Sequence, residues 1–170
     1  MDTDQAAAAQ PREATVDDPA FRQRLAAVIE RLAGELGAAA VVRRDGNDWQ
    51  IQPARPAASP VWIGGDNAWT LTVGFGRASS RIELGYSSKA DPVAELHELE
   101  AICHAVIDGQ LVEWRKRGSA SRWHLTLGDG SVLHGSTNWL LPALPWTRVE
   151  QEQFAPYADP QPPVDSPDGT

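Results

Sequence analysis

Twice in this chain an Asp-Pro dipeptide opens a stretch with helical apolar spacing, a glycine closes it, and short alternating segments follow. Asp18-Pro19 begins the first. Asp is a favoured N-cap, and proline fits the first helical position because the N–H it lacks would have no intrahelical partner there. Phe21, Leu25, Val28, Ile29, Leu32 and Leu36 then share one helix face, and Gly37 ends the run. Asp91-Pro92 begins the second stretch, whose apolar face is Leu96, Leu99, Ile102, Cys103, Val106 and Ile107, and Gly109 ends it. The chain must therefore fold as helix, strands, helix, strands.

The strand segments are short and turn-punctuated. Residues 41–44 and 49–52 flank Asp45-Gly46, where glycine readily takes the positive φ of a tight hairpin. Residues 61–63 and 69–75 flank Gly64-Gly65-Asp66-Asn67, which reads as a turn. Trp69, Leu71, Val73 and Phe75 alternate with small or polar residues, as a half-buried strand requires, and residues 81–86 alternate likewise. Segments 111–117, 121–127 and 132–135 follow the second helix, the last two joined by Asp129-Gly130. Short links imply antiparallel pairing. The class is α+β, a two-layer sandwich with two helices on one mainly antiparallel sheet, in the order α-β(4–5)-α-β(3). Each helix precedes a hairpin with a tryptophan early in its second strand, Trp49 and Trp123, as a diverged α-β-β duplication would leave. The element order over residues 18–135 resembles that of the type III secretion chaperones, which are small acidic dimers. That resemblance implies a partner-binding protein and a possible homodimer.

Residues 18–155 read as a single domain between an Ala-, Asp- and Thr-rich tail at 1–17 and a proline-rich acidic tail at 156–170, both expected to be disordered. The net charge of −8 belongs to those tails: residues 18–149 hold 14 acids and 14 bases. Without a basic stripe the chain is not expected to bind nucleic acid. Its apolar runs fall far short of the ~18 residues of a membrane span. The acidic start Met1-Asp2-Thr3-Asp4 is unlike a signal peptide, and one cysteine excludes an internal disulfide, so a cytoplasmic location is expected. Thirteen arginines against two lysines fit a GC-rich bacterial genome.

Candidate chemistry is sparse. His97, Glu100 and His104 share a face of the second helix, but the histidines lie two turns apart, about 10 Å along the axis, too far to share one ion. A solvated face, no metal and no cofactor are expected there. Cys103 lies in the apolar stripe and reads as an inert small hydrophobe. A two-residue Asp129-Gly130 turn would pair Leu125 with His134 and send His124 to the opposite face, so no His124–His134 site is expected. Gly74-Phe75-Gly76 lacks the third glycine and following helix of a dinucleotide loop. Arg115, Lys116, Arg117 and Arg122 cluster around one hairpin turn and are candidates for an anion. Seven tryptophans, most expected to point inward, are an unusually rich set. The most apolar stretch, residues 138–146, is forced to run extended by Pro142 and Pro145. It supplies the candidate partner-binding residues Trp139, Leu140, Leu141, Leu144 and Trp146. No catalytic signature appears. The expected function is therefore a non-catalytic protein-binding domain, such as a secretion-type chaperone or a toxin-immunity protein. The alternative is an enzyme or small-ligand or phosphate binder using the His97/Glu100/His104 face or the Arg115–Arg122 turn.

Overall fold

A computed structural model of the chain describes residues 19–67, 70–77, 80–85, 92–116, 121–137 and 148–159. Helix α1 spans Pro19–Leu36 and α2 spans Pro92–Ile107. Both begin at the expected proline; the expected caps Asp18 and Asp91 lie outside the described residues. Gly37 and Gly109 both have positive φ. At Gly109 the ending is a Schellman motif: Gln110 N–H donates to Ala105 O and Gly109 N–H to Val106 O, which satisfies carbonyls the helix leaves open. All six residues of the expected α2 face are buried, each worth roughly 1.5–3 kcal/mol for a large aliphatic side chain.

The α+β class holds, but the strands form two antiparallel sheets where one was expected. The first has five strands in sequential order: β1 (Ala40–Asp45), β2 (Asp48–Pro53), β3 (Val61–Asn67), β4 (Thr70–Phe75) and β5 (Ser80–Gly85). The second contains β6 (Leu111–Lys116), β7 (Ser121–Thr126), β8 (Val132–Thr137) and β9 (Val149–Gln153), in the order β8-β7-β6-β9. Among the described residues the sheets meet through side chains and not through a ladder. Strand β5 lies against β7 and β8, and Phe75 meets Trp123 edge to face at 5.1 Å. Helix α1 packs on α2 and β1, and α2 packs on β7, so one continuous core serves both sheets.

Gly64-Gly65 is not a turn. Strand β3 runs through it to Asn67, with an irregularity between Gly65 and Asn67. Strand β9 has no apolar alternation and is held by backbone pairing to β6.

The packed part of the chain also continues past residue 155. Phe154 and Tyr157 are each only 1% exposed. Tyr157 N–H donates to Ile107 O, and its hydroxyl donates to Ser59 O at 2.6 Å. The proline at 156 does not prevent docking, because this segment needs only isolated backbone bonds and two aromatic anchors.

Candidate functional site

The five-stranded sheet turns Val61, Ile63, Leu71, Val73 and Phe75 toward the core and Trp62, Thr72 and Gly74 the other way. Trp62 is cross-strand from Gly74 and two residues from Gly64 on the same face. A Cβ at Gly64 would fall inside the Trp62 ring, and one at Gly74 would stand 3.4 Å from it. Gly64 therefore lets the indole lie down on the strand backbone, which is what glycine in a strand interior commonly permits, and Gly74 lies against the other end of the ring. The ring floors a groove of about 480 Å³ bounded by Gln50, Gln52, Pro60, Thr72, Gly76 and Arg81. Gln50 pairs with Trp62 across the ladder, and Arg81 forms an ion pair with Glu83 at 3.3 Å.

One end of this groove is anchored by a buried polar knot. Glu113, on the inner face of β6, is fully buried. Its carboxylate accepts from Arg77 N–H at 3.0 Å and from the Ser80 hydroxyl at 2.8 Å. The chain turns here at Gly76 with φ +76°, and glycine is needed both for that φ and because a Cβ would meet Glu113 Oε1 at 2.7 Å. Its N–H donates to Ser59 Oγ at 2.8 Å, which joins the β4–β5 turn to the loop before β3. Arg115 bridges to Glu152 at 2.9 Å, and Arg77 reaches Glu152 at 3.3 Å.

The outer face of the four-stranded sheet carries a second group. Trp114 meets the His124 ring edge to face at 4.8 Å, and His124 and His134 have ring centroids 6.0 Å apart. This corrects the expectation that the two histidines face opposite ways. Beyond the ends of β7 and β8 the ladder continues through Leu127 N–H to Ser131 O, which leaves a three-residue turn, Gly128 to Gly130, and Gly130 has φ +84°. The register becomes His124↔His134. A one-residue slip moves every side chain to the other face.

The other candidates are distributed as follows. Glu100 pairs with Arg31 at 2.6 Å and His104 stands 3.7 Å from both Glu100 and Glu35, so these residues form the polar seam between α1 and α2. His97, one turn before Glu100 and two before His104, is exposed. Among the described residues no three His, Cys, Asp or Glu side chains converge as a metal site. Cys103 is fully buried, and burial pushes its thiol up to about 12, with Glu100 adding to the effect. Of the basic cluster, Arg115 turns inward to Glu152 while Lys116 and Arg122 alternate onto the outer face; Arg117 lies outside the described residues, as do Trp139, Leu140, Leu141, Leu144 and Trp146. Of the four described tryptophans, Trp123 is buried and Trp49 packs against the core, while Trp62 and Trp114 occupy outer faces; Trp69, Trp139 and Trp146 lie outside the described residues.

Comparison with protein-family models, with curated proteins and with solved structures finds no match. The likeness in element order to secretion chaperones is therefore not confirmed. No helix among the described residues is long and apolar enough to cross a membrane.

Proposed function

We propose that the protein is a non-catalytic binding domain that takes an extended segment of another protein along the outer face of its five-stranded sheet. The observation that carries this reading is the Trp62 ring laid flat on Gly64 and Gly74 as an apolar floor. Tryptophan is the residue type most enriched where a few contacts dominate a protein interface. Gln50 and Gln52 stand beside it on one strand face, about 6.8 Å apart by strand geometry. That is also the repeat at which an extended peptide presents like backbone groups, and a primary amide can both donate to and accept from them. A secretion-type chaperone and a toxin-immunity protein would both use such a face, and either role is compatible with a cytoplasmic location.

The test uses the full chain as bait in native lysate, with Trp62→Ala, Gln50→Ala and Trp139→Ala in parallel. Loss of the partner with Trp62→Ala, by the ~30-fold or more that a 2 kcal/mol hot spot implies, supports the groove. Capture that survives Trp62→Ala but fails with Trp139→Ala moves the partner surface to residues 138–146 and overturns it.

A further inference from the structure

Half of the chain's four histidines stand side by side on the outer face of the second sheet. We propose that His124 and His134 together bind a divalent transition-metal ion, copper(II) in preference to nickel(II) or zinc(II), in an open site whose other positions face solvent.

The backbone sets this pair. Counting from the bond between Leu127 N–H and Ser131 O, Leu125–Leu133 is a hydrogen-bonded pair and His124–His134 a non-bonded one, the arrangement that brings opposed side chains closest. The register is pinned by the loop itself. The Asp129 carboxylate accepts from Ser131 N–H at 2.8 Å and from its hydroxyl at 2.6 Å. Trp114, edge-on to His124 at an interplanar angle of 69°, limits where that ring can swing. Both histidines are exposed, so an ion reaches them without opening the fold.

The distances fit chelation after a small adjustment. Two imidazoles bound to one ion at about 2.0–2.1 Å place their ring centroids about 5 Å apart. The rings now stand 6.0 Å apart, so side-chain rotation alone closes the difference. The donor set decides the metal. Imidazole nitrogen without carboxylate suits copper, nickel and zinc and not magnesium or calcium, and copper(II) heads the affinity order. Two protein ligands leave positions for water or for a donor from a partner. This site is on a different sheet from the Trp62 groove and does not depend on it.

The test is titration of the full chain with copper(II) sulfate at neutral pH, followed by the histidine ring signals in NMR and by tryptophan fluorescence. The expected result is one ion per chain in the tight step, with the His124 and His134 ring signals broadened before those of His97 and His104. Trp114, next to the site, should be quenched, and that part of the quenching should vanish in Trp114→Phe. His124→Ala and His134→Ala should each weaken binding at least tenfold, while His97→Ala leaves it unchanged. Broadening that begins at His104, affinity lost in His104→Ala instead, or affinity unchanged in His124→Ala would overturn the assignment. The broadening pattern is read on the unaltered chain, so it decides the matter even if a variant folds poorly.

Discussion

Glu113→Ala should be among the most damaging single changes in this protein. The carboxylate is fully buried and accepts from Arg77 N–H and from the Ser80 hydroxyl. Truncation leaves the buried Ser80 hydroxyl and the part-buried Arg77 N–H without this acceptor. Each buried unsatisfied donor costs about 1–3 kcal/mol, so the two together cost about 2–6 kcal/mol, and the cavity adds to that. A domain of this size has only about 5–15 kcal/mol to lose. Glu113→Gln separates shape from charge. Its amide oxygen can still accept from Arg77 N–H, and its NH₂ can donate to Ser80 Oγ, since a hydroxyl works in either direction. The charge-assisted part of the bonds is lost, and with it the ion pair to Arg115 Nε at 3.9 Å, about 1–2 kcal/mol. Ser80→Ala, which removes one donor and leaves the other bond in place, should fall in the same range. Urea unfolding followed by tryptophan fluorescence measures all three, with the slope m checked for constancy. A Glu113→Ala variant within 1 kcal/mol of the parent, or a Gln variant as damaged as the Ala variant, would refute the account of the knot. Because Gly76 borders both the knot and the groove, the Gln variant should also perturb groove resonances in NMR.

Other expectations follow from burial and geometry. Truncation after Gln153 removes Phe154 and Tyr157 and should prevent stable folding, since truncating a buried aromatic costs about 3–5 kcal/mol; truncation after Asp159 should leave the melting temperature within a few degrees. Burial pushes the Glu95 carboxyl above its ordinary range, and Glu98 adds to the effect. The folded chain therefore keeps that proton to higher pH than the unfolded chain. The resulting stability is complete below the unfolded value, about pH 4, and is lost as pH rises through the folded one. Glu95→Gln should then raise the melting temperature at pH 7 and give no advantage below about pH 4, and thermal melts across that range check it. Gly64→Ala should displace the Trp62 ring and shift its emission, whereas Gly74→Ala, with 3.4 Å of room, should not.

Both helices were legible because Pro19, Pro92, Gly37 and Gly109 mark their ends and the apolar spacing marks their faces. The faces of the strands were harder to read. Val61-Trp62-Ile63 is apolar throughout, so alternation cannot say which residue points out; the glycines at 64 and 74, two along and directly across, were the signal that Trp62 lies on the outer face. Val132-Leu133 hides parity in the same way. Gly128-Asp129-Gly130 admits a two- or a three-residue loop, and the choice decides whether His124 and His134 meet. Strand β9 (Val149–Gln153) has no pattern to find because backbone pairing with β6 holds it. Phe154 falls inside the expected domain, whereas the burial of Tyr157 was not legible because the prolines at 156 and 160 outweigh one aromatic in the sequence.

The groove on the first sheet is tested most directly by selecting a displayed library of random peptides on the intact protein, with counter-selection on Trp62→Ala. Selected peptides should shift the Trp62 indole N–H and the Gln50 and Gln52 side-chain amides in two-dimensional NMR spectra of the unaltered chain. Their affinity should fall at least tenfold on Trp62→Ala. Peptides that bind Trp62→Ala as tightly as the parent, or that shift resonances only elsewhere, would contradict the assignment of this face as the binding surface.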